Sequence, residues 1–131
     1  MLRIPTPLSH GLEELIHRVI GCCINVHRDL GPGLLENVYA RAGRIELTQA
    51  GISYEAEKAV PIMYRGEVLC HHRLDIVVAD TLLLELKAVD YITPVHRAQV
   101  LSYLRVSQLP VALLINFNVP ILQDGIKRII L

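Results

Sequence analysis

The segment RLDIVVADTLLLELK, from Arg73 to Lys87, constrains the fold more than any other stretch. It reads as two short apolar runs broken at Ala79-Asp80-Thr81, each of strand length and rich in Leu, Val and Ile. A run that is apolar on both sides belongs inside a sheet covered on both faces. The polar exceptions are Asp75, Glu85 and Lys87. Burying an unpaired carboxylate costs several kcal/mol, so these groups must be exposed, paired or bound to a cation. Glu85 and Lys87 are two apart and share a face, and a short turn brings Asp75 alongside Glu85. Two hard oxygen ligands, with the Leu86 carbonyl, suit Mg²⁺ (or Mn²⁺), which keeps most of its waters. Lys87 beside them could help deprotonate an attacking water or stabilise charge building on a phosphate. On spacing alone a solvent-facing stripe with an ordinary ion pair fits equally well.

The flanking sequence supplies the other elements. Leu12, Leu15, Ile16, Val19, Ile20, Cys23 and Ile24 recur at three and four, which predicts a helix from Ser9, a good N-cap, to about Leu30 before Gly31-Pro32. A second helical pattern, Leu34, Leu35, Val38, Ala42, Ile45, Glu46 and Ala50, closes at Gly51. ISYEAEKAVPIMY then alternates as a strand and turns at Arg65-Gly66 into EVLCHHRLDIVVA. Thr93 to Ser107 returns to helical spacing, Pro110 stops it, VALLINFNV is a buried fourth strand, and Gly125 to Leu131 can add an edge strand. The third helix is a right-handed crossover that sets strand four parallel to strand three. The expected architecture is α/β: an antiparallel three-strand meander plus a parallel fourth strand, flanked by helices.

At 131 residues, with no repeat or Gly/Ser linker, the chain (1–131) reads as a single domain. It is 52% hydrophobic, yet no apolar run approaches the roughly 20 residues that span a bilayer. Surplus apolar surface of that kind commonly ends in a subunit interface, so a homodimer burying part of helix one or the fourth strand's edge is expected. Thirteen Lys and Arg balance thirteen Asp and Glu, so any phosphate binding must be local. Cys22, Cys23 and Cys70 lack metal spacing and read as reduced and buried. MLRIPTPLSHG carries neither a signal-peptide core nor a transit-peptide bias, and a cytoplasmic protein is expected.

Asp75, nine residues, then Glu85-Leu86-Lys87 across a hairpin resembles the PD-(D/E)XK nuclease superfamily, as does the order of strands and helices. Gly33-Leu34-Leu35-Glu36-Asn37-Val38-Tyr39 resembles the GxxExxY pattern of a small bacterial and archaeal family within it, and ELKAV, AQVLSYL and LLINF resemble further blocks of that family. The resemblance implies a restriction-endonuclease-like sheet. It makes Asp75 and Glu85 metal ligands, Lys87 the catalytic lysine and Glu36 a helix-borne acid completing the site. Gln99 and Tyr103 resemble a QxxxY element that orients substrate or the lysine. Cys70 stands where relatives would carry glycine.

His71, Arg73 and Asp75 share a face by strand parity, so Arg73 is expected to contact a substrate phosphate or pair with a site carboxylate. His71 and His72 point to opposite faces and make a poor zinc pair. His27, Arg28 and His96 could rim the same cleft. Two functions follow. One is a Mg²⁺-dependent nuclease hydrolysing DNA or RNA with a metal-activated water. The other is a nuclease-fold binding or scaffold module, favoured by zero net charge and few aromatic residues.

Overall fold

The structure, a computed structural model, describes residues 6–131; the leader-free reading of the N-terminus falls partly on 1–5, outside the described residues. Helix α1 covers His10–Leu30. It begins where the Ser9 hydroxyl accepts from the Leu12 amide and ends at Gly31, whose φ of 69° disfavours any side chain. Ile16, Val19, Cys23 and Val26 form its buried face. Helix α2 covers Glu36–Gln49 and buries Tyr39, Gly43 and Leu47. Leu34, Leu35, Val38 and Ile45, the face expected to pack, are exposed. Spacings of three and four recur on two neighbouring faces of α2, and the one bearing tyrosine and glycine lies against the core.

Strands β1 (Tyr54–Tyr64), β2 (Glu67–Val78) and β3 (Leu82–Lys87) form the meander; α3 (Pro94–Ser107) crosses to β4 (Val111–Asn116), and β5 (Ile126–Ile130) follows a 3-10 turn at Leu122–Gly125. The sheet order is β1-β2-β3-β4-β5, with β3 and β4 parallel and every other pair antiparallel. Helices α1 and α2 cover one face, packing on Ile76, Val78, Leu82, Leu84 and Leu86. Helix α3 covers the other through Val100 and Leu104, against Leu74, Val77, Leu83 and Leu114. Strand β4 is buried at every position, and β5 occupies its outer edge, so a dimer contact there is not available.

The β1–β2 ladder runs from Tyr54/Val78 to Tyr64/Glu67, whereas β2 pairs with β3 only at Ile76, Val77 and Val78. The outer half of the hairpin therefore projects past the sheet, because β2 has 12 residues and β3 only 6. Cys70 is exposed on this arm, against expectation, while Cys22 and Cys23 are buried and free. Among the described residues no helix is long and apolar enough to cross a membrane.

Candidate active site

Strands β2 and β3 pair regularly as far as Ile76 and Leu84. Asp75 opposite Glu85 would come next, and there the strands part. Two side-chain bonds replace the ladder. The Asp75 amide donates to Glu85 Oε1 at 3.2 Å, and the Leu86 amide donates to Asp75 Oδ2 at 3.0 Å. Each carboxylate thus satisfies an amide of the opposite strand that the fork would otherwise strand.

Glu85 is only 4% exposed. Burial, then the neighbouring Asp75 charge, pushes its carboxyl up to about 8. Lys87 continues the face of Glu85 and pulls the other way, yet among the described residues neither Lys87 nor Arg73 forms an ion pair with Asp75 or Glu85. The ordinary ion-paired stripe is not what this fold builds. Glu36, in the first turn of α2, is raised by partial burial and by Asp75, and lowered by Lys87 and His96. Glu36 is thus within electrostatic reach of groups on both strands and on α3. Tyr103 joins from α3: burial and the charges of Glu85 and Asp75 raise its hydroxyl, and its ring stacks on His72 at 4.0 Å.

Gln99 lies one turn before Tyr103, exposed and without a hydrogen bond among the described residues. Arg73 is exposed on β2. Its expected face-sharing with Asp75 does not carry across the fork, because Leu74 packs toward α3 and Ile76 toward α1 and α2. Two residues apart, they should share a face; the strand rolls over at Asp75. Opposite it, Glu57 takes a φ of 53° and drops out of the ladder, which relaxes the alternation on both strands.

Behind the fork, buried polar groups hold the chain. Tyr39 is fully buried, stacks on Phe117 at 4.6 Å, donates to the Gly31 carbonyl at 2.6 Å and accepts from the Leu34 amide at 3.0 Å. It fixes the Gly31–Gly33 loop and so aims the first turn of α2, where Glu36 sits. Asn116, a polar residue in an otherwise apolar strand, accepts from the Val89 amide and donates to the Val89 carbonyl, clamping the chain just after Lys87. His27, which the sequence allowed at the rim or on the ordinary surface, instead bonds the Val119 carbonyl at 2.8 Å from within the core. His96 shares a capping box with Thr93 at the start of α3 and acts electrostatically on Glu36.

A family model of the PD-(D/E)XK nuclease superfamily matches residues 13–129. The chain belongs to the PD-(D/E)XK nuclease superfamily. Comparison with curated proteins and with solved structures gave no significant match. PD-(D/E)XK nucleases generally use divalent metals, and the five-strand mixed sheet with its three helices is consistent with their restriction-endonuclease-like fold.

The donor set fits one kind of ion better than others. Among the described residues no group of three or more His, Cys, Asp or Glu is drawn together as a cage. Two carboxylates, of which Asp75 lines an open hollow, suit a hard cation that retains its waters, and do not suit zinc. Sequence reasoning missed Glu57, Arg41 and Arg44, which line a hollow of about 430 Å³ together with Glu36 and Asp75.

Proposed function

We propose that this protein is a nuclease dependent on Mg²⁺ or Mn²⁺ that hydrolyses phosphodiester bonds in DNA or RNA. The fork carries this reading. Two carboxylates converge at the fork, burial opposes ionisation of Glu85, and no ion pair among the described residues relieves it, so a cation is the partner the pair suits. Asp75 and Glu85 would hold such a cation, which would supply positive charge for the phosphate and lower the pKa of a water so that it could be deprotonated for attack.

The chain's own groups divide the rest. The Lys87 ammonium stabilises the phosphate charge that builds in the transition state and can hold or release a proton beside the attacking water. Glu36, its carboxyl raised, accepts a proton or a hydrogen bond from water entering on the α2 side. Tyr103 and Gln99 position substrate from α3, and Arg73 contacts a phosphate beyond the fork. The GxxExxY motif divides likewise into Glu36 for chemistry and Tyr39 for holding it. Residues 1–131 act as one domain in the cytoplasm. The working form is a homodimer, paired through the projecting hairpin where Met63, Tyr64, Val68 and Leu69 are exposed and the edge of β2 away from β1 has no strand partner.

Cleavage assays on single-stranded, duplex and branched DNA and RNA, with Mg²⁺, Mn²⁺ or EDTA, test the activity. We expect metal-dependent cutting that falls about 100-fold or more in Lys87→Ala. Cutting that survives the substitution refutes the assigned site, and binding without cutting supports the scaffold reading instead. Light scattering tests the assembly: a monomer throughout the micromolar range rules out the dimer.

A further inference from the structure

Beside the fork, α2 carries two arginines, Arg41 and Arg44, that neither the superfamily signature nor the proposed chemistry uses. Two adjoining hollows, about 430 and 380 Å³, share Arg41 and Arg44 in their walls. The first also contains Glu36, Glu57 and Asp75, so it opens into the fork. The second continues along α2 to Thr48 and Tyr54. Together they form one groove.

Arg41 and Arg44 are one helical turn apart, on the same side of α2. Arg44 is half-buried, yet neither guanidinium forms a hydrogen bond or ion pair among the described residues, although Glu36 and Glu57 line the same hollow. A planar fork of donors held against a helix without a carboxylate partner matches phosphate oxygens. The groove has a single row of cations. Its β1 wall offers Glu57, and the next residue, Lys58, is already paired with Glu55 at 3.7 Å. A duplex would present two backbones and require a second cationic row; a single strand does not.

We propose that this groove is the track along which a single strand of nucleic acid reaches the fork, with Arg41 and Arg44 each taking one phosphate. The proposal rests on the nuclease reading and names the form of its substrate. It also explains how a chain with no net charge can grip a polyanion: affinity is local, from two phosphates on α2 and one at the fork. Because Glu36, Glu57 and Asp75 share the hollow, the strand binds only once a divalent cation has offset them.

The test uses the full chain with Lys87→Ala, so that binding is read without cutting. Fluorescence anisotropy of short labelled single-stranded DNA and RNA, and of duplex DNA, is measured in Ca²⁺ across a sodium chloride series. Adding Arg41→Glu and Arg44→Glu should weaken single-strand binding about tenfold or more and reduce the slope of log affinity on log salt by about 1.4, two contacts at about 0.7 each. Arg105→Glu, an exposed charge elsewhere on α3, should change neither. Arg41→Gln with Arg44→Gln, checked by thermal unfolding, gives the same direction should the reversed charges perturb folding. If the parent binds and the double variants match it in affinity and slope, the groove is wrong while the nuclease reading stands. Duplex bound more tightly than either single strand overturns the assignment to a single strand. A parent that binds no nucleic acid at low salt overturns the inference and the function beneath it.

Discussion

At its Leu82–Leu84 end, β3 pairs with β2 through a regular ladder and is sealed between the helical layers, whereas at its Glu85–Lys87 end it faces a gap bridged only by side chains. Leu84 and Glu85 are adjacent and almost equally buried, at 1% and 4% exposed. One is buried because burial stabilises it; the other is buried in spite of it. The first end supplies stability from apolar contact and the second draws on it, holding two carboxylates in place with no ion pair among the described residues. The site is therefore a strained extension of the core, and substitutions on either side of the Leu84–Glu85 bond should move stability in opposite directions.

The largest loss of stability belongs to the apolar end. Leu84→Ala removes a buried side chain from the α1/α2 face and leaves a cavity, which should cost about 3 kcal/mol in urea unfolding. Cleavage per folded molecule should be retained, since the fork itself is untouched. A variant that keeps its stability but loses activity would break the division between the two ends.

Next comes the support beneath the polar end. Gly125 packs against the Asn116 backbone carbonyl, and a Cβ there would collide with it. Since the Asn116 side chain clamps Val89 just past Lys87, Gly125→Ala should push on the fork from behind. We expect a loss of about 2 kcal/mol together with reduced cleavage per folded molecule. Unchanged thermal unfolding would show that the clamp yields freely.

The two ends also differ in how far the sequence declares them. Apolar runs, strand-length turns and the Gly31 and Gly51 helix stops expose the element order and the central sheet directly. Asp75, Glu85 and Lys87 were legible because polar residues inside apolar strands need a reason to be there. The alternation rule failed at Asp75, since the rollover depends on Glu57 adopting a positive φ, and no glycine or asparagine marks that position. Arg41 and Arg44 were invisible for a different reason: on a sequence they are the ordinary polar side of a helix, and only the fold sets Tyr54, Glu57 and Asp75 across the hollows from them. Asn116 could have been found by the reasoning that found Asp75, as the lone polar residue within VALLIN.

The smallest change reads the polar end most directly. Glu85→Gln keeps an oxygen to accept from the Asp75 amide but removes the charge. In wild type without metal, the folded carboxyl titrates near 8 and the unfolded one near the ordinary 4.5. Below the unfolded value both states hold the proton, and Glu85 contributes its full stability. As pH rises between the two values, the unfolded chain releases a proton that the folded chain keeps, so the unfolded state gains and stability falls. Glu36, also raised, adds to the same slope. In EDTA, Glu85→Gln should therefore match wild type near pH 4 and exceed it by a few kcal/mol near pH 8. Added Mg²⁺ or Mn²⁺ should reverse the order, because a cation favours the ionised pair and stabilises wild type in proportion to its binding, while the variant gains little. Thermal unfolding at several pH values, with EDTA and with each metal, gives the comparison. A variant that melts below wild type in EDTA at pH 8, yet gains as much from metal, would mean that Glu85 is a structural acid and that the cation sits elsewhere.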